Sequence, residues 1–192
     1  LENSVSGNLE WTIEQFADVR NARLTLPTKF DMVDPLLELR HGHNVTIRVS
    51  LNPDEIIRRV EFGTSRLDAR IAALNKLYHA GYDVGILIAP IIMIEGWQEM
   101  YERLFQKMAE SIDPAILRGV QLEIIYMTYG MVTEKINQEA FPGAVQLHDR
   151  ESMAFCGRSR YGYTQPVKAE ASAFLRERIA HWLPEANIAY IV

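Results

Sequence analysis

Four runs of strand character, Arg23 to Thr28, Val45 to Leu51, Val84 to Ala89 and Val120 to Met127, are separated by stretches whose apolar residues recur at helical spacing. That alternation constrains the fold more than any other feature. Strands separated by helices build right-handed βαβ units, so the pattern predicts an α/β protein with a parallel sheet, open or bent into part of a barrel. The intervening spacing predicts helices over Asn8 to Asp18, Met32 to Leu39, Ser65 to Ala80, Trp97 to Ser111 and Val132 to Ala140, with a short helical turn after Pro53. Pro90 is expected to end the third strand. Beyond Leu147 the regularity breaks into the glycine-punctuated stretch Met153 to Thr164, a loop or hairpin, followed by a helix over Val167 to Leu183 and a closing strand Ile188 to Val192.

Composition narrows the class. Of 192 residues, 48% are hydrophobic and 23% charged, which excludes collagen-like and disordered chains. The longest apolar run, Val84 to Ile94, is broken by Gly85 and Pro90 and falls short of the roughly 18 residues a membrane span needs. The lone Cys156 makes neither an internal disulfide nor a multi-thiolate metal site, so a reducing cytoplasm is the expected location. A net charge of -5 argues against broad polyanion binding and confines any nucleic-acid contact to a local patch. The chain opens at Leu1 without a Met and reads as a cut end.

Ligands of parallel α/β sheets sit at the carboxyl ends of strands, which selects Thr28 and Lys29, then Ser50 to Asn52, then Ala89 to Ile91, then Met127 to Gly130. A lysine, a serine and an asparagine converging at one rim suit a carboxylate, a ribose or a phosphate; the alternative is that Lys29 and Asn52 solvate loop starts. Glu95 suits a helix dipole better than acid–base work. His41 and His43 lack a third ligand, and helical Trp97, Met100, Tyr101 and Phe105 read as packing. In Gly157-Arg158-Ser159-Arg160-Tyr161-Gly162-Tyr163, guanidiniums can fork onto phosphates and tyrosines can stack on bases; an ordinary solvated turn is the competing reading. Cys156 beside Arg158 reads as a small apolar residue as readily as a reactive thiol.

Several blocks, taken in order, resemble the carboxyl-terminal half of the spore photoproduct lyase family. They are Arg23 to Phe30, Val45 to Asn52, the Glu61-Phe62-Gly63-Thr64-Ser65-Arg66-Leu67-Asp68-Ala69-Arg70 block, Ile88 to Ile91, Glu95-Gly96-Trp97 and the closing GRSRYGY and YIV stretches. The resemblance implies a radical S-adenosylmethionine enzyme on a partial (β/α)6 barrel that reverts 5-thyminyl-5,6-dihydrothymine to two thymines through a 5′-deoxyadenosyl radical. Residues 1–112 would then supply the last barrel strands and 113–192 a lesion- and DNA-binding region packed on them, ending in a hairpin, helix and strand. The family's cofactor-contacting lysine and serine fall on Lys29 and Ser50, with Asn52 and Ala89 at the same rim. Its lesion-facing hairpin arginine falls on Arg158, with Arg160, Tyr161 and Tyr163 beside it.

The family's C-x-x-x-C-x-x-C motif, which binds a [4Fe-4S] cluster, is absent from these 192 residues. The resemblance therefore implies partners for this piece: the cluster-bearing half of the barrel, and DNA carrying a thymine lesion. The segment Tyr126-Met127-Thr128-Tyr129 lacks the basic run of Bacillus-type enzymes, which leaves open a homologue acting on another substrate. A non-catalytic nucleic-acid-binding module is the third alternative.

Overall fold

The computed structural model describes residues 3–147, 149 and 151–192, so part of the chain start read as a cut end lies outside the described residues. Five strands form one wholly parallel sheet: β1 (Leu24–Thr28), β2 (Val45–Ser50), β3 (Asp83–Ile91), β4 (Gln121–Tyr126) and, beyond the small strands that intervene in the chain, β8 (Asn187–Ile191). β5 (Thr128–Gly130), β6 (Met153–Gly157) and β7 (Arg160–Tyr163) make a separate antiparallel sheet in the order β5-β7-β6. The helices are α1 (Asn3–Ser6), α2 (Asn8–Phe16), α3 (Asp54–Val60), α4 (Leu67–His79), α5 (Trp97–Ser111), α6 (Pro114–Leu117), α7 (Met131–Ala140) and α8 (Gln165–Trp182). The expected α/β alternation is present, and the parallel sheet runs across residue 112 without a break.

Period-two alternation divides the sheet into two faces. Val45, Ile47 and Val49 of β2, Ile86 and Ile88 of β3, and Leu122 and Ile124 of β4 are buried in one apolar core. The same core takes in Leu74 and Leu77 of α4, Tyr101, Leu104 and Phe105 of α5, and Leu175 and Ile179 of α8. α5 and α8 are pinned to each other by the edge-on pair Trp97–Phe174 and by Trp182 Nε1 donating to Glu102 at 2.7 Å. The opposite face carries Arg48, Ser50, Leu87, Ala89, Glu123, Ile125 and Tyr190 around an open cavity of about 530 Å³.

Two sequence expectations are corrected. The segment Met32 to Leu39 is not an α-helix: a single 3₁₀ turn, Asp34–Leu36, spans it. Its amides bond three residues back, Leu36 to Val33, Leu37 to Asp34 and Leu39 to Leu36, and Pro35 withholds a donor, so the tighter helix buries Val33 and Leu36. Pro90 does not end β3 either. The strand continues to Ile91 because its pairing with β4 shifts between Ile88 and Ile91, placing the proline in a gap of the ladder where its missing N–H costs nothing.

The stretch Met153 to Tyr163 is a hairpin, with Arg158 and Ser159 alone at its tip and both at positive φ. A two-residue tip of that kind matches the right-handed twist of its strands and normally calls for Asn or Gly. Two side-chain-bearing residues held left-handed store strain at the exposed end of the hairpin. β5 leaves the carboxyl end of β4, and the Met93 amide just past β3 donates to Tyr163 Oη at 2.8 Å. The small sheet is thus rooted at the carboxyl edge of the large one.

Candidate functional site

The pairing shift around Pro90 does more than admit a proline. It leaves Ala89 and Pro90 out of register with β4, pairing with β2 ends at Leu87, and the Ala89 and Pro90 carbonyls accept side-chain hydrogen bonds instead. Lys29, one residue past β1, donates from Nζ to the Ala89 oxygen at 2.9 Å, and Ser50 Oγ at the end of β2 donates to the same oxygen at 3.2 Å. Three strand ends meet at one carbonyl. Lys29, Ser50 and Ala89 all line the open cavity, together with apolar Pro27, Leu87 and Ile125.

Behind them lies a buried carboxylate that strand-end reasoning did not single out. Glu61 Oε1 accepts from Lys29 Nζ at 2.5 Å and from Asn52 Nδ2 at 2.8 Å; Oε2 accepts from Arg70 Nη2 at 2.7 Å. Arg70 is fully buried, and its other donors go to the backbone oxygens of Ser65 and Ser50 and to Thr64 Oγ1. Burial pushes the Glu61 carboxyl up, but the bonds from Lys29 and Asn52, the Lys29 charge and the Arg70 bond outweigh it and hold the group below its ordinary range. Burial lowers the Lys29 pKa, and the bond and charge of Glu61 offset that only in part.

Asn52 is placed differently from the expectation of a rim ligand. It is wholly buried, with Nδ2 shared between Glu61 and the Pro90 carbonyl and Oδ1 accepting from the Tyr101 hydroxyl at 3.3 Å, so it braces the site and does not line the cavity. Tyr101, read as packing, also accepts from the Ile92 amide at 2.9 Å, and burial raises its pKa so far that it stays protonated.

Deeper in the cavity, Arg48 binds both oxygens of Glu123 at 3.1 and 2.8 Å, and Tyr190 from β8 donates to the same carboxylate. Gly85 lies between them on β3; a Cβ there would stand 3.2 Å from Arg48 Cγ, which is why the strand carries no side chain under the arginine.

On the hairpin, Arg158 and Arg160 are exposed, while Tyr161 is half-buried and meets exposed Phe155 edge-on. Tyr163 is in the core, its ring against Tyr126 and its pKa pushed up to about 12 by burial. The hairpin residues therefore do not all face outward. Cys156 is exposed and its Sγ approaches the Arg160 carbonyl. His41 stacks on Tyr82, and His41 and His43 bond the carbonyls of Ala80 and Gly81, which closes a turn. Glu95 is exposed ahead of α5.

A family model described as spore photoproduct lyase matches residues 2–192. The chain belongs to the spore photoproduct lyase family. Curated spore photoproduct lyases from Bacillus subtilis (strain 168) and Geobacillus sp. (strain Y412MC61) are 31% and 29% identical, each across 95% of this chain and 54% and 55% of their own length. The chain thus spans about half the length of the curated relatives it matches, on their carboxyl-terminal side. Among solved structures, spore photoproduct lyase complexed with dinucleoside spore photoproduct superposes with a TM-score of 0.91 at 28% identity, covering 99% of this chain and 57% of that one. A double mutant of the enzyme with bound AdoMet and dinucleoside spore photoproduct matches equally well. The fold expected from the resemblance, the back portion of a radical S-adenosylmethionine barrel, is the fold this family has.

The residues present fit one implied cofactor and not the other. An ammonium suits a carboxylate, a hydroxyl suits a ribose, and the apolar wall of Pro27, Leu87 and Ile125 suits a base, in a volume within the usual range for small-molecule sites. A [4Fe-4S] cluster needs three thiolates where the chain has a single cysteine, and among the described residues no group of three His, Cys, Asp or Glu could hold a metal ion. No helix among the described residues is long and apolar enough to cross a membrane.

Proposed function

We propose that this chain is the cofactor- and lesion-facing half of a spore photoproduct lyase, binding S-adenosylmethionine at the rim formed by Lys29, Ser50 and Ala89. The observation that carries the reading is the convergence of Lys29 and Ser50 on the Ala89 carbonyl at the mouth of an open cavity. Parallel sheets are normally covered on both faces. Here the cavity face carries a half-buried Arg48–Glu123 pair and an exposed Tyr190, as the inner wall of a barrel does before its remaining strands are supplied. Those strands, and the three thiolates of a cluster, would come from the part of the relatives that lies outside the match.

In this reading Lys29 holds the carboxylate of S-adenosylmethionine, Ser50 its ribose, and the apolar wall its base, while Asn52 braces the rim from behind. When bound, the cofactor supplies a 5′-deoxyadenosyl radical for hydrogen abstraction. In this division of labour Lys29 and Ser50 from residues 1–112 orient the cofactor, Ile125 adds to its apolar wall, and the hairpin of residues 113–192 presents DNA. Arg158 and Arg160 would hold lesion-flanking phosphates and Tyr161 would stack on a base. Tyr163, being in the core, would set the hairpin's root. The rooting of the hairpin at the carboxyl edge of the sheet supports placing lesion and cofactor at the same end.

The whole polypeptide, reconstituted anaerobically with iron and sulfide, tests this. With dithionite and dinucleoside spore photoproduct it is expected to form 5′-deoxyadenosine and release paired thymines. Absence of 5′-deoxyadenosine would contradict the radical reading, and its formation without repaired thymines would move the substrate elsewhere.

A further inference from the structure

We propose that Glu61, locked in place by Arg70, is a positioning residue that spends two of the three Lys29 ammonium protons on fixed protein oxygens and aims the third into the cavity. The inference rests on the reading of that cavity as an S-adenosylmethionine site and names what holds its cation.

A free lysine ammonium is a poor device for placing one hydrogen bond, since its four-carbon stem samples many rotamers and its protons rotate. At this rim that freedom is removed from behind. Lys29 Nζ lies 2.5 Å from Glu61 Oε1 and 2.9 Å from the Ala89 carbonyl, which leaves a single N–H without an oxygen partner among the described residues. Glu61 in turn cannot swing. Its side chain is 6% exposed, Arg70 and Asn52 grip it, and Arg70 itself has no exposed surface. Arg70 Nη1 also binds the Ser50 carbonyl at 3.0 Å, and the Ser65 amide donates to the Lys29 carbonyl at 3.1 Å. One buried pair therefore sets both cofactor-facing residues.

The charges make the arrangement conditional on the carboxylate. Lys29 and Arg70 put two cations around one anion, so removing the negative charge leaves two like charges facing each other across Glu61 in a desolvated setting. The other charged groups of the cavity, Arg48 from β2 and Glu123 from β4 with Tyr190 from β8, are engaged with each other and do not change between the forms compared.

The test is a pH titration of the lysine Nζ and Cε NMR signals of the 192-residue chain, with Lys29→Met assigning the Lys29 resonance. The Lys29 midpoint is expected to fall by about one unit or more in Glu61→Gln, and less in Glu61→Asp, which keeps the charge. An unmoved midpoint in Glu61→Gln overturns the proposal. If Glu61→Gln does not fold, the wild-type signal decides: an Nζ resonance as mobile as those of exposed lysines overturns it, and a restricted, exchange-protected one upholds it. Titrating S-adenosylmethionine into the same samples separates the two readings. Wild-type binding that weakens with pH at a lower midpoint in Glu61→Gln upholds both. A shifted Lys29 midpoint with no wild-type binding leaves the Glu61 role standing and removes the cofactor reading alone.

Discussion

Lys29 and Ser50, on neighbouring strand ends, donate to one oxygen, the carbonyl of Ala89, at 2.9 and 3.2 Å. The relationship depends on the pairing of β2 with β3 ending at Leu87, which accepts the Leu51 amide, so that the next carbonyl facing β2, that of Ala89, is left outside the ladder and open to two side chains. A feature of backbone pairing thus creates the polar floor of the site.

Replacing Arg70 by Met removes a guanidinium that serves Glu61, Thr64 and two backbone oxygens at once. Breaking a buried pair from one side leaves an uncompensated charge, and the expected loss is about 3 to 5 kcal/mol in urea unfolding. A loss below about 1 kcal/mol would mean that the network contributes little to the folded state.

Acid is expected to act through Glu61. A carboxyl held below its unfolded value contributes stability that is fully present above about pH 4.3 and lost as pH falls through the lower folded value. Lys29 runs at the other end of the scale: because its folded pKa is lowered, the unfolded chain binds more protons between the two values, and stability rises with pH there. Urea midpoints measured from about pH 6 down to about pH 3 should fall less steeply in Glu61→Gln than in wild type.

Gly42 has a φ of 59°, and a Cβ built on it would stand 2.3 Å from the Ala17 carbonyl oxygen. Gly42→Ala therefore combines left-handed strain with a backbone clash, and a destabilisation of about 2 kcal/mol or more is expected by thermal unfolding. The effect would be on stability, since His41 and His43 on either side close a turn.

Arg158→Ala and Tyr163→Phe should separate binding from folding. The first, at an exposed hairpin tip, is expected to weaken DNA binding by about 1 to 3 kcal/mol at low salt with stability unchanged. The second deletes the hydroxyl that accepts from Met93 and should cost about 1 kcal/mol of stability.

The sequence made the parallel sheet legible because its strands are β-branched runs of the right length, bounded by glycine or proline and separated by apolar stripes of helical period. α5 begins and ends where that period does, at Trp97 and Ser111. The same reasoning over-read Met32 to Leu39, where period three and period 3.6 are indistinguishable across so few turns. Lys29 and Ser50 were visible because strand ends are where ligands bind. Glu61 was not, lying in the bend after α3 and meeting Lys29 only through the fold. Arg70 did carry a signal. It occupies a place on the stripe Leu67, Ile71, Leu74 of α4, and a charged residue on a buried stripe requires a partner. Asn52 could not be told from a rim ligand until Tyr101 and Glu61 were seen on either side of it.

The decisive measurement is calorimetric titration of S-adenosylmethionine into the whole polypeptide carrying its cluster, as wild type and with Lys29→Met or Ser50→Ala. One-site binding to wild type is expected, weakened at least about tenfold by Lys29→Met and a few-fold by Ser50→Ala. Wild-type protein that gives no heat of binding, or a Lys29→Met variant that binds as tightly as wild type, would contradict it.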